Sequence, residues 1–448
     1  MHMIPGKLTD LISRILNENH VKEILSGAFN ALIIKVLSAA AAFLFNVLIA
    51  RLLGVNDTGI YYLSLTIVVI GATIGRAGLD NIVLRFVASN SSAGDWVSVL
   101  GVYRLCMQVA LFASLLVSIA LVFSSAWIAD ALFAKPELEK PLVWMTMSIV
   151  PIALFTLHAQ ALQGLKEIKK ALAVQGLWQP LCTCVGVVLL VPSLGIIGAV
   201  YAYTVAAVIA LVIGWSQWRN STKECVCSSG VRGYFHVLSA VPSLLISSLL
   251  RIIIERLPLI LLGVWATASD AGVFGVASRI ALLISFILVA VNSISAPKFA
   301  ALYDNNQLDE LESVARFAAI LLTFAAIPLT LICYLYSEHL MAIFGDEFVS
   351  GADVLVVLAL GQFVNVVTGP VGYLLVMTGH ERDMRNNMIF CTVLNLILCF
   401  ILIESYGAIG AACAVSITVA TQNIISLLQV WKRLGILVLP IPLLDKQA

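Results

Sequence analysis

The sequence predicts an all-α polytopic membrane protein, with about twelve transmembrane helices in two parallel, pseudo-symmetric six-helix lobes around a central cavity. Three observations predict it. The 448-residue chain is 61% hydrophobic and 11% charged, with a mean hydropathy of +1.02, well outside the range of soluble domains. Apolar runs of about 20 residues, long enough to cross a bilayer core as helix, recur along it. The chain also contains a near-copy of itself. Leu52-Leu53-Gly54 with Asp57-Thr58-Gly59-Ile60-Tyr61 returns as Leu261-Leu262-Gly263 with Asp270-Ala271-Gly272-Val273-Phe274. Gly195-Ile196-Ile197-Gly198-Ala199 returns as Gly407-Ala408-Ile409-Gly410-Ala411, and Gly164-Leu165-Lys166-Glu167 has a weaker echo in Gly379-His380-Glu381-Arg382.

Taken in order, the spans fall near 29–50, 60–79, 98–123, 141–162, 171–191, 196–217, 237–262, 272–295, 315–337, 351–377, 387–405 and 407–431. Backbone polar groups in lipid must be bonded internally, so runs of this length are helices; a barrel would need short alternating strands. The organisation is an amphipathic N-terminal segment (1–28), an N-lobe (29–220), a linker (221–236), a C-lobe (237–431) and a tail (432–448). Sixteen Lys and Arg fall in the N-terminus, tail and loops of one side and three, Arg51, Lys135 and Lys140, on the other. That bias places both termini in the cytoplasm. Each half then holds an even number of helices, so the halves run parallel, a recurring plan of secondary transporters with the substrate pathway between the halves.

No loop exceeds about two dozen residues, which leaves no room for a soluble catalytic or nucleotide-binding domain. Neither GxxxxGK[ST] nor HExxH occurs, so an ion or substrate gradient is the expected energy source and no cofactor is called for. The net charge of +1 gives no reason to expect nucleic acid. Residues 7–25 put Leu8, Leu11, Ile12, Ile15 and Leu16 on one face, a helix lying on the cytoplasmic surface rather than a signal peptide. The C-x-C pairs Cys182/Cys184 and Cys225/Cys227 have no nearby His and predict no metal site.

Seven basic residues lie within the spans: Lys35, Arg76, Arg104, Arg251, Arg256, Arg279 and Arg316. Each costs on the order of 3 kcal/mol at a helix centre, so each needs an explanation. Arg316, at the start of span 9, snorkels to the headgroups; Arg104 reads as mainly structural. Lys35, Ser38, Ala42 and Asn46 share one face of span 1. Tyr62, Thr66, Thr73, Arg76 and Asp80 share one face of span 2, with Arg76 and Asp80 at i,i+4 for an ion pair. Lys35 and Arg76 are near enough to the cytoplasmic ends to snorkel or to line a cavity. Arg251 and Glu255 on span 7 have two readings, a neutralised staple between helices or a cationic cavity gated by a titratable acid. Arg279 has no acid at i±3 or i±4, which favours function over structure. His158 near the end of span 4 reads as a packed histidine before a proton relay. Gly71-x-x-x-Gly75 marks a close-packing face, and Pro242 and Pro258 in span 7 and Gly369-Pro370-x-Gly372 in span 10 mark kinks. With few intramembrane acids against seven bases, the pathway attracts an anion, and arginine suits phosphate or pyrophosphate.

Ala50-Arg51-Leu52-Leu53-Gly54 through Asp57-x-Gly59-x-Tyr61, then Gly78-Leu79-Asp80 and Arg85, resembles the start of Wzx-type polysaccharide flippases of the multidrug/oligosaccharidyl-lipid/polysaccharide exporter superfamily. Glu255-Arg256, Asp270-x-Gly272-x-Phe274 and Pro297-Lys298 agree in the second half. The resemblance implies a V-shaped pair of lobes and a non-enzymatic carrier of the inner membrane. Such a carrier flips an undecaprenyl-pyrophosphate-linked oligosaccharide to the periplasmic leaflet for O-antigen or lipopolysaccharide synthesis, with a polysaccharide polymerase as a further partner. By helix and face it implies substrate contacts from Lys35, Arg76 and Arg279, beside the candidates Arg251 and Asn46, with Glu255 as the ion-coupling acid. Rival readings are a drug/cation antiporter of the same superfamily, which would prefer intramembrane carboxylates, and a lipid II flippase, which resembles a fourteen-helix chain.

Overall fold

The computed structural model describes residues 19–223, 241–436 and 438. Outside them lie the first part of the surface helix expected over 7–25, most of the linker 221–236 with the Cys225/Cys227 pair, and most of the tail. From Asn19 on, the chain is already helical and runs straight into span 1.

Among the described residues every regular element is helical. Seven helices are long and apolar enough to cross a membrane, and three of them are double-length: Ile33–Arg76, Ile168–Ser221 and Glu381–Leu434. The 54 residues of Glu381–Leu434 would measure about 81 Å as one rod, against a bilayer core of about 30 Å. Each double helix is broken at one glycine: Gly54 (φ 75°, ψ 178°), Gly195 (φ 56°, ψ −136°) and Gly407 (φ 53°, ψ −129°).

Pairings on either side show that each break is the tip of an antiparallel hairpin. Tyr62 bonds Asn46 around Gly54, Gly186 faces Ala202 around Gly195, and Asn395 bonds Thr418 around Gly407. Counting these three as two crossings each, with the bent pair Pro136–Thr146 and Ile149–Gly164 and the helix Val241–Trp265, gives the twelve spans read from the sequence.

The duplication is visible in the backbone. Gly195 and Gly407 hold the repeat's left-handed corner at nearly the same φ and ψ, a conformation that only glycine takes without strain. Gly94 and Asn306, and Lys166 and Gly379, are further left-handed pairs at the same shift. The last pair corrects the sequence alignment. Gly164 does not correspond to Gly379; Lys166 does, as a non-glycine residue at φ 62°.

By contacts the described chain forms two units. Unit one comprises 1–45, 68–123 and 143–250. Within it an added Cβ on Gly75 would lie 2.7 Å from Ser114 Cα, the close-packing face expected of the Gly71/Gly75 pair. Tyr103 stacks on Trp218 with ring centroids 4.2 Å apart and its hydroxyl meets His158 Nε2 at 2.9 Å.

Unit two comprises 46–67, 124–142 and 251–448. Its core includes Phe299, Leu302, Leu311, Val371, Leu374 and Val430. It also holds Gly59 against Gly272, the same glycine of the two sequence repeats: a Cβ on either would come within 3.1 Å of the other's amide nitrogen. The surface of both units is strongly apolar, with Phe123 85%, Phe324 73% and Leu189 70% exposed, as expected where lipid rather than water is the solvent.

Lys135, counted in the sequence only as a loop charge, has a specific role in unit two. Its Nζ donates to the carbonyl of its own neighbour Phe133 at 3.2 Å and, at the end of helix Val241–Trp265, to those of Gly263 at 2.5 Å and Ala266 at 2.8 Å. Those last carbonyls have no partner inside a helix. Burial pulls the ammonium below its ordinary range, and the Asp270 carboxylate opposes that. Lys135→Met, which keeps the stem and removes the donors, is expected to destabilise the protein by about 2 kcal/mol. A melting temperature equal to wild type in detergent would show that water caps the helix end equally well.

Candidate functional site

Span 8 begins at a defined point. The Thr267 hydroxyl accepts from the Asp270 N–H at 3.0 Å and the Asp270 carboxylate accepts from the Thr267 N–H at 3.1 Å, a capping box for helix Ala268–Asp304. About three turns on, the Arg279 guanidinium carbon lies 3.8 Å from the centroid of the Tyr62 ring. Its Nη1 donates to the Gly275 carbonyl at 2.6 Å. Tyr62 is fully buried, and its hydroxyl donates to Asn46 Oδ1 at 2.9 Å. Gly275 leaves room for the stack, since a Cβ there would lie 2.5 Å from Tyr62 Cδ2.

Arg279, Tyr62 and Asn46 thus form one chain of contacts inside unit two. The ring face supplies about 0.5–2 kcal/mol of attraction to the cation and fixes its plane. One of five guanidinium donors is engaged, and no acid pairs with Arg279 among the described residues. Such a group can offer two parallel N–H donors to a phosphate.

The other candidates are placed differently. Arg76, in unit one, is mostly buried and already paired: Nε meets Asp80 Oδ2 at 3.0 Å and Nη2 donates to Thr73 Oγ1 at 3.2 Å. Lys35, also in unit one, is exposed and makes no hydrogen bond or ion pair among the described residues. Asn46 is 7% exposed and its side chain supports Tyr62. The side chain of Arg251 lies outside the described residues, and with it the expected pairing with Glu255, which is exposed.

On the polar stripe of span 2, Tyr62, Thr66 and Thr73 are buried and Arg76 and Asp80 are partly so. The Thr73 hydroxyl donates to the Val69 carbonyl at 2.9 Å and accepts from Arg76 Nη2. Arg316 pairs with Glu312. His158 is packed, with its ring nitrogens on Tyr103 Oη and the Leu154 carbonyl. Arg104 is exposed beside Gln108 and Trp215 on a groove of unit one and has no ion-pair partner among the described residues.

In class this is a multi-pass helical membrane transporter rather than an enzyme. The profile of the polysaccharide biosynthesis protein family matches residues 24–302, and that of the MatE family matches 243–401. The chain belongs to the polysaccharide biosynthesis protein family. It is 22% identical over 395 residues to the probable low-salt glycan biosynthesis flippase Agl15 of Haloferax volcanii, covering 88% of this chain and 80% of that one. In fold it is similar to the lipid II flippase MurJ in an inward closed conformation (TM-score 0.74, 16% identity, 89% of this chain and 87% of that one). It is equally similar to an inward-facing multidrug resistance MATE family transporter (TM-score 0.73, 15% identity, 91% and 98%).

Proposed function

We propose that this protein flips an undecaprenyl-pyrophosphate-linked oligosaccharide from the cytoplasmic to the periplasmic leaflet of the cytoplasmic membrane for surface polysaccharide synthesis. The observation that carries the reading is Arg279, a guanidinium held on a tyrosine face within an apolar span and without an acid partner among the described residues. Family membership and the likeness to a glycan-biosynthesis flippase support the glycan.

The headgroup enters the pathway from the cytoplasmic side while the polyprenyl tail stays in lipid. Arg279 takes the pyrophosphate, with Asn46 acting through Tyr62 as a positioning residue; Lys35, Arg76 and Arg251 add positive charge along the way. Rocking of the halves exposes the headgroup to the other side. Protonation of Glu255 releases its partner and couples the cycle to the proton gradient. A drug/cation antiporter would need intramembrane carboxylates, and the balance here is the reverse.

The test is complementation of a flippase-deficient bacterium supplied with the enzymes for the chain's own repeat unit. Wild type is expected to restore surface polysaccharide. Failure to do so at good membrane levels would turn the assignment to the antiporter.

A further inference from the structure

We propose that a cavity within spans 8, 10, 11 and 12 of unit two is a subsite for an uncharged sugar ring of the carried glycan, an inference that rests on the flippase reading. The cavity is about 360 Å³, the size of a small-ligand pocket. Asn292, Asn365, Gln422, Asn423 and Tyr373 line it, and among the described residues no Asp, Glu, Lys, Arg or His does.

Two features point to a ligand. Asn292 lines the cavity and is 7% exposed, yet among the described residues its Oδ1 is buried with no hydrogen-bond partner. Such an acceptor carries the full cost of its desolvation unless something else bonds it. The second feature is a discontinuity in span 10. Helix Ala352–Val367 stops, Gly369 and Pro370 pass at the cavity wall, and helix Val371–Met377 restarts. Broken spans in transporters lie where backbone borders a binding site.

The chemistry of the wall selects the ligand. Asn423 donates to Asn365 Oδ1 at 3.0 Å and to the Val419 carbonyl at 2.8 Å, and Asn365 donates to Gln362 Oε1 at 3.2 Å. The amides are thereby aligned, and the Asn423 oxygen and the Gln422 side chain are left unbonded among the described residues. Amides both give and accept, as sugar hydroxyls do. The half-exposed ring of Tyr373, with Leu288, Val376 and Pro370, offers apolar surface for the C–H face of a pyranose. A phosphate would lack a cation here, and a polyprenyl tail would leave the amides unpaired. A bare monovalent ion would leave most of the volume empty.

The full-length protein in lipid nanodiscs is titrated with bare polyprenyl pyrophosphate and with the same lipid carrying one glucose, galactose or N-acetylglucosamine. Wild type is expected to bind at least one glycosylated lipid about ten-fold or more tighter than the bare one, the yield of two or three hydrogen bonds. Asn292→Leu and Gln422→Leu are expected to keep the wild-type melting temperature, since neither side chain makes a hydrogen bond among the described residues, and to erase the preference while leaving bare-lipid binding unchanged. Equal binding of bare and glycosylated lipids, or a preference that survives both substitutions, overturns the subsite and leaves the flippase reading standing. Binding of neither lipid overturns the flippase reading itself. A sodium-induced rise in melting temperature that Asn292→Leu removes would identify a cation site and overturn the sugar assignment.

Discussion

Arg279→Ala is expected to lower the rescue of surface polysaccharide by about 100-fold or more at matched membrane levels. The figure follows from losing two charge-assisted hydrogen bonds to phosphate, each about 1.5–3 kcal/mol, where 1.4 kcal/mol is a factor of ten. The protein itself should not suffer. Among the described residues Arg279 makes one hydrogen bond, to its own helix, and one stacking contact, while a charge in an apolar span costs on the order of 3 kcal/mol to insert. The alanine variant should therefore reach the membrane as well as wild type.

Lysine at this position separates charge from geometry. It restores the positive charge but not the planar fork, so Arg279→Lys should recover only part of the activity. Full rescue by both variants would assign Arg279 to structure and leave the transport function intact. A fall in membrane level that tracks the fall in rescue would make it a packing residue.

Arg279 was legible in the sequence because a charge within a span is conspicuous. Its stacking partner was not. Tyr62 was read as part of a polar stripe on span 2, because periodicity sees one helix at a time and not the helix packed against it 217 residues later. The same limit left open whether Thr66 and Thr73 face the bundle interior or a watery cavity; both are buried, and the Thr73 hydroxyl bonds its own helix backbone.

The amides Asn292, Asn365 and Asn423 were passed over for another reason: they are neutral, and intramembrane charge was the filter. The usable signal was the Gly369-Pro370 break with Gln362 and Asn365 just before it. The twelve spans and the duplication were legible because apolar length and repeated turn residues are encoded locally. The Gly164 echo failed by two residues because letter matching aligned glycines, whereas the fold aligns left-handed conformations and places Lys166 at one of them. The contact units cut the first half at 45, 67, 123 and 142, boundaries that depend on long-range packing of 46–67 and 124–142 and leave no local mark.

Gly59→Ala is expected to be the most damaging single methyl addition in the chain. Asp57-x-Gly59 and Asp270-x-Gly272 are the repeat's most recognisable letters, and the two glycines face each other. A Cβ at Gly59 would overlap the Ala268 carbonyl oxygen and lie 2.6 Å from its carbon and 3.1 Å from the Gly272 nitrogen. A Cβ at Gly272 would overlap the Val55 carbonyl oxygen. Every obstacle is backbone, so no rotamer change relieves it, and overpacking should cost about 3 kcal/mol or more.

Gly195→Ala is the control. Nothing lies within 4 Å of its Cβ position, so its backbone conformation (φ 56°, ψ −136°) alone sets the cost, about 1–3 kcal/mol for a non-glycine residue in such a sparsely populated region. Melting temperatures should therefore fall in the order wild type, Gly195→Ala, Gly59→Ala. The double variant Gly59→Ala/Gly272→Ala should cost less than the sum of its parts, because separating the two backbones once relieves both clashes. A Gly59→Ala protein as stable as Gly195→Ala would mean that the two repeat motifs do not meet at these glycines. Asp-x-Gly would then be a turn signal in each half rather than the contact between them.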